Sequence, residues 1–197
     1  MARRTTARGM AAALTLLLTG AAAPALAHTG VGPVEGLAHG LLHPLTGLDH
    51  VLAMVAVGLW AGLVGGKARI AYPVAFVTTM GLAGAWAMAG GQLPGAEIGI
   101  AVSIVILGLA IALKASPPLA AGALACGIFA IFHGFAHGAE LPENASGFAY
   151  AAGFVISTAA LHGVGLFLAA RLAQQAPVLA RVAGGGLVLA GVALLAG

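Results

Sequence analysis

Charged side chains are scarce in this sequence. Only 7% of the 197 residues are Asp, Glu, Lys or Arg, whereas 61% are hydrophobic and the mean hydropathy is +1.07. Soluble domains carry roughly 25% charged residues, so this composition excludes a soluble domain of such length. It predicts an all-α fold, a polytopic bundle of membrane-spanning helices.

Cysteine and the common enzyme motifs are also lacking. The single cysteine, Cys126, excludes a disulfide framework and a zinc or iron–sulfur site built from several cysteines. The run Gly65-Gly66-Lys67-Ala68 is not a phosphate-binding loop, because Ala61 occupies the position of the first glycine and no Ser or Thr follows the lysine. A Gly-x-Ser-x-Gly nucleophile elbow is absent too. The sequence therefore predicts neither an ATP site nor a serine hydrolase.

The N-terminus has the three parts of a secretory signal peptide. The basic region, the apolar region and the small-residue cleavage site are, in order, Arg3, Arg4 and Arg8, residues 10–18, and Ala25-Leu26-Ala27. We expect a cleaved signal peptide over 1–27 and a single transmembrane domain over 28–197, with an uncleaved signal anchor as the alternative. Cleavage leaves five basic and five acidic residues, so nucleic acid is not an expected partner.

Six apolar runs follow, each close to the ~17–25 residues that a membrane-crossing helix needs. They cover residues 45–65, 70–90, 97–113, 118–138, 147–170 and 177–196. The preceding segment, 31–44, is punctuated by Gly and Pro. It is predicted to be a short pre-helix or re-entrant segment outside the first span.

The basic residues predict the orientation of these six spans. All five basic residues of the mature chain fall in the connections on one side, and they are Lys67, Arg69, Lys114, Arg171 and Arg181. The opposite connections hold Glu140 and Glu143, of which Glu143 is read as a plain loop charge. By the positive-inside rule, we expect a multi-pass protein of the bacterial cytoplasmic membrane, with both mature termini outside.

Two polar clusters interrupt the apolar runs at the outer side of the predicted bundle. The first contains His43, Asp49 and His50, and the second contains His133, His137 and Glu140. Ionisable groups inside a membrane segment are costly, so they are functional candidates by default. Imidazole suits nickel, cobalt, copper and zinc, and carboxylates complete the ligand set or orient a ring. The two clusters are therefore predicted to form one metal site.

Helical spacing supports this pairing of the clusters. Residues at i, i+7 and i+11 share a helix face, and this spacing is found in two sets: His43 with His50 and Met54, and Cys126 with His133 and His137. If the two faces meet, the ring of His50 should lie within about 7 Å of that of His133 or His137, because nitrogen–metal distances are ~2 Å. The competing interpretation is that these histidines only form hydrogen bonds between helices.

Five further residues are secondary candidates for the metal site: His28, His39, Met54, Glu97 and His162. His28 would begin the mature chain and offer both its amine and its ring nitrogen. His162 lies deeper than the clusters and is considered as an inner relay. Packing is the competing role for Met54, as for Cys126, and a helix cap is the competing role for Glu97.

The two clusters resemble the motifs of the HupE/UreJ family of hydrogenase and urease accessory proteins, which are nickel or cobalt permeases. The resemblance is carried by residues 43–50, His-Pro-Leu-Thr-Gly-Leu-Asp-His, and by residues 132–140, Phe-His-Gly-Phe-Ala-His-Gly-Ala-Glu. It extends over the whole mature chain. Family members often begin with a longer His-rich segment, whereas here only His28 stands at the predicted mature N-terminus.

The resemblance implies import of Ni²⁺, or of Co²⁺, to supply a nickel enzyme such as hydrogenase or urease. The metal would be a transported substrate, and no permanent cofactor is expected. Membrane lipid and a divalent metal ion are the expected partners, with a homo-oligomer left open. Two alternatives also stay open: an intramembrane metal enzyme, because His-x-x-x-His occurs twice, and a metal sensor or chaperone that transports nothing.

Overall fold

The regular secondary structure of the described residues consists of α-helices. The computed structural model describes residues 33–140, 147–175 and 177–197, and these ranges contain no β-strand. The predicted signal peptide and His28 therefore lie outside the described residues. The helices are α1 (Pro33–Thr46), α2 (Leu48–Val64), α3 (Ala68–Met88), α4 (Ala96–Ala112), α5 (Leu119–Ala139), α6 (Gly147–Gln175) and α7 (Pro177–Ala196).

Four of these helices are long and apolar enough to cross a membrane, namely α3, α5, α6 and α7. A fifth span is formed if α1 and α2 are counted together as one broken span. The remaining apolar helix, α4, has 17 residues and is shorter than the other four. The all-helical membrane architecture is thus confirmed, and each of the six predicted runs coincides with one helix, whereas the number of spans stays a prediction.

The predicted pre-helix is α1, and it ends in a sharp corner. α1 and α2 meet at an angle of 84° across Gly47, whose backbone is extended (φ −97°, ψ 115°). Pro44 lies inside α1 and does not end it. The single helical face predicted for His43, His50 and Met54 is therefore wrong at its first member, because His43 belongs to α1 and the other two to α2.

Gly47 leaves space at this corner for two neighbouring side chains. A Cβ atom there would lie 2.7 Å from the Asp49 carboxylate oxygen Oδ1 and 3.0 Å from Nδ1 of His50. The first distance is shorter than real Cβ atoms show and the second is tighter than most of their contacts, so a side chain at position 47 would push the Asp49 carboxylate away and crowd the His50 ring. The glycine thus keeps room for the Asp49 and His50 side chains at the start of α2.

Close helix pairs hold the clusters in place. α3 packs along α5, α4 along α7, and α6 along both α1 and α2. At the α3–α5 contact, a Cβ on Gly134 would collide with the Met80 carbonyl oxygen, and a Cβ on Gly138 with that of Gly84. Small residues four apart let membrane helices approach in this way. Gly134 and Gly138 each directly follow a cluster histidine, so this contact fixes the histidine-bearing end of α5 against α3.

Candidate metal site

Three ligand-type side chains from two helices converge at the end of α5. His43 of α1, His137 of α5 and Glu140, the residue that caps α5, each present one ligand atom, and these atoms all lie within 4.8 Å of one another. Nε2 of His43 is 3.0 Å from Oε2 of Glu140. The rings of His43 and His137 are in edge contact, with centroids 4.8 Å apart. We call His43, His137 and Glu140 the outer triad.

The dimensions of the outer triad suit a small divalent ion. Metal–ligand bonds of about 2.1 Å place neighbouring ligand atoms of an octahedral site about 3 Å apart and opposite ones about 4.2 Å apart. The 3.0 Å contact between His43 and Glu140 matches the shorter separation, and small rotations would bring the widest one, 4.8 Å, into range. A metal could therefore replace the proton that this pair now shares.

Electrostatics at the outer triad favour a charged carboxylate. The hydrogen bond from His43 holds the pKa of Glu140 below its ordinary value, and this outweighs the opposing effect of partial burial. Glu140 consequently remains ionised at neutral pH. The side chain of Glu140 is 60% exposed to solvent, whereas His137 is only 4% exposed. The triad thus presents a negative charge on the surface and an imidazole beneath it.

A second pair begins α2. Oδ1 of Asp49 accepts hydrogen bonds from the backbone N–H of His50 and from the Nδ1 atom of the same residue, each 2.8 Å long. A carboxylate can only accept, so Nδ1 carries the proton of the neutral imidazole and Nε2 keeps its lone pair. Within the described residues, this Nε2 is buried and has no hydrogen-bond partner. Asp49 therefore orients His50 as an available nitrogen ligand, the usual task of a carboxylate behind a metal-binding imidazole.

The two sequence clusters meet through His50. Its ring centroid lies 4.0 Å from that of His137 and 5.0 Å from that of His133. Both separations are shorter than 7 Å, so the distance prediction is confirmed. The histidines follow one another in the order His43, His137, His50 and His133, from the half-exposed end of the site to the fully buried one.

Four residues of the site were not predicted from sequence. Phe154 packs against His137 at 4.0 Å, Tyr150 lies 5.7 Å from His43, and Phe76 contacts His133 at 5.6 Å, all measured between ring centroids. Ser103 of α4 forms a 3.0 Å hydrogen bond with Nε2 of His133. Ser103 carries a usable signal, because its hydroxyl stands out in a helix that is apolar beyond Glu97 in its first turn. The aromatic residues carry none, since such residues are common in any apolar helix.

The secondary candidates that the structure describes are not among the four histidines in successive ring contact, His43, His137, His50 and His133, which we call the histidine column. His39 is exposed on α1, and Glu97 is exposed in the first turn of α4, where an acidic side chain complements the helix dipole. Met54 is fully buried in the apolar core, together with Cys126. His162 is 2% exposed, and Phe76 contacts both His162, at 5.3 Å, and His133, at 5.6 Å, between ring centroids.

Comparison with known proteins agrees with the two motifs. The sequence model of the family described as HupE / UreJ protein matches residues 16–194. The chain is also similar to the protein named Protein HupE from Rhizobium leguminosarum bv. viciae, with 45% identity over 186 residues, which cover 93% of this chain and 97% of the relative. No solved structure matches the chain.

Proposed function

This chain belongs to the HupE/UreJ family, and from that premise we propose that it is a permease that imports a divalent transition metal across the cytoplasmic membrane. Nickel is the preferred substrate, with cobalt as the nearest alternative, and the metal would serve a nickel enzyme such as hydrogenase or urease. The ion passes through as cargo and is not a resident cofactor.

The observation that carries this proposal is the continuous column of imidazoles. It begins at the half-exposed outer triad and reaches the fully buried His133 through ring contacts of 4.8, 4.0 and 5.0 Å. A hydrated dication must exchange its water for other ligands before it enters an apolar bundle. At each step along the column, the ion can bind the next imidazole nitrogen before it leaves the previous one. A site that only retained metal would need one closed ligand set.

We place the outer triad on the outer side of the membrane, in a bundle of six spans with both mature termini outside. Asp49 and His50 begin α2, and Lys67 and Arg69 follow its end, about 25 Å away at 1.5 Å per residue. The basic residues are expected on the cytoplasmic side. The 17 residues of α4 also reach about 25 Å, which supports counting it as the sixth span.

The membrane potential supplies enough energy for such import. A potential of ~100 mV is worth about 2.3 kcal/mol per unit charge, hence roughly 4.6 kcal/mol for a dication. At 1.4 kcal/mol per factor of ten, this corresponds to about three decades of accumulation. The lack of a nucleotide-binding motif in the sequence is consistent with this mechanism.

Uptake of radioactive nickel tests the proposal directly. Cells that express the chain, supplied with submicromolar nickel, should accumulate more metal than cells with an empty vector. Equal uptake in both would refute the permease. An intramembrane metal enzyme should instead retain stoichiometric metal through purification, and a sensor or chaperone should bind metal while uptake stays at the background level.

A further inference from the structure

Ser103 lies behind the most deeply buried histidine of the column and makes two polar contacts. Its hydroxyl, 0% exposed, donates to the Ile100 carbonyl oxygen at 2.7 Å, and its Oγ lies 3.0 Å from Nε2 of His133. His133 is also 0% exposed, and among the described residues its other ring nitrogen, Nδ1, has no hydrogen-bond partner.

The direction of these two bonds follows from counting hydrogens. A serine hydroxyl has one hydrogen, and a carbonyl oxygen can only accept. The 2.7 Å contact with Ile100 therefore uses the only hydrogen that Ser103 has. The bond to His133 must then run the other way, with the ring N–H at Nε2 donating to Oγ. A neutral imidazole has one N–H, so Nδ1 is left with the free lone pair.

We propose that Ser103 is a positioning residue that fixes the tautomer of His133, so that Nδ1 faces the column as the metal-binding atom. This inference rests on the proposed function. His133 and His50 are then held in opposite tautomers by two different residues. Asp49 accepts a hydrogen bond from the Nδ1–H of His50 and leaves Nε2 free, whereas Ser103 accepts one from the Nε2–H of His133 and leaves Nδ1 free.

This arrangement makes the two neighbouring histidines, His50 and His133, metal ligands of different strength. A carboxylate behind an imidazole raises its basicity as a ligand, whereas a neutral hydroxyl orients the ring with less effect on basicity. The inner histidine of the pair would thus hold a metal less tightly than the outer one. Weaker binding toward the interior lets the ion leave the column instead of remaining trapped in it.

The tautomer can be measured without metal. The full chain, labelled with ¹³C and ¹⁵N at histidine and placed in lipid bilayers, is studied by solid-state NMR, and His133 is assigned from the signals lost in His133→Asn. We expect the proton on Nε2 in the wild-type chain and a mixture of both tautomers in Ser103→Ala. A wild-type proton on Nδ1, or an unchanged tautomer in Ser103→Ala, would overturn the inference.

Transport supplies the second readout. Loss of a residue that orients a metal ligand typically weakens binding about 10–100-fold, so the half-saturating nickel concentration of Ser103→Ala should rise by about that factor. The matched control is Ser157→Ala: Ser157 is a buried serine of α6 with no hydrogen bond to a histidine within the described residues. A mixed tautomer with unchanged nickel uptake would refute the positioning role. If the wild-type chain takes up no nickel, the permease proposal fails. The NMR measurement would still show whether Ser103 fixes the tautomer of His133.

Discussion

Replacement of Glu140 by glutamine removes the negative charge of the outer triad with little change in shape. The amide can still bond to His43 and still offers one oxygen to a metal, so the main loss is electrostatic. In water, two unit charges 4 Å apart interact by about 1 kcal/mol, so a dication that reaches this distance from the carboxylate while still hydrated gains about 2 kcal/mol. The dielectric constant of water applies because the Glu140 side chain is 60% exposed to solvent.

A loss of about 2 kcal/mol corresponds to a rise of about 30-fold in the half-saturating nickel concentration. The maximal rate should change less, because the deeper histidines are untouched. Initial rates of nickel uptake over a range of concentrations, normalised to the amount of protein in the membrane, measure both quantities. Glu143→Gln removes the same charge three residues further along the chain and is the matched control. An unchanged half-saturating concentration in Glu140→Gln, or an equal rise in Glu143→Gln, would contradict the role of the triad.

The other predictions concern the histidines, acid and the choice of metal. His50→Ala and His137→Ala should abolish uptake while the amount of protein in the membrane stays normal. His162→Ala should cost less, because the described ring contact of His162 is with Phe76 and not with a histidine of the column; equal losses in all three variants would refute the column. Uptake should fall at acidic pH, because only neutral imidazoles bind metal. The pKa of Glu140 is lowered, so this carboxylate stays charged in that range and Glu140→Gln should keep the same acid limb. Cobalt should compete with nickel at lower concentration than zinc or copper; the reverse order would refute the preference.

The membrane class and the identity of the clusters could be predicted because they depend on local composition. A run of about 20 apolar residues is long enough to cross a bilayer whatever its neighbours are. An imidazole or carboxylate inside such a run is costly unless it has a partner or a task. His50 and His133 were singled out on this basis, although 83 positions separate them in the chain, and their rings lie 5.0 Å apart.

The helical face assigned to His43 and His50 shows where local reasoning fails. Spacing of seven residues predicts a shared face only if the helix is continuous. Here Gly47 turns the chain by 84°, so the two histidines come from different helices and still reach the same site. His43 is directed there by the packing of α1 on α6 and by its contact with Glu140. The sequence indicated which residues meet, but for a partly incorrect reason.

The sequence by itself determined that the protein resides in a membrane and which polar residues could bind a metal. Hydropathy and ligand type are properties of each residue and of its near neighbours in the chain. Only the tertiary structure decided the order of the histidines, the orientation of their rings and the partners behind them. Ser103 and His133 lie on different helices, and the hydroxyl matters only because packing brings it within 3.0 Å of Nε2. Such contacts depend on how each helix is rotated and on how closely two helices approach, to a precision of about an ångström. Glycines such as Gly134 permit close approach, but an apolar sequence does not determine the rotation or the distance.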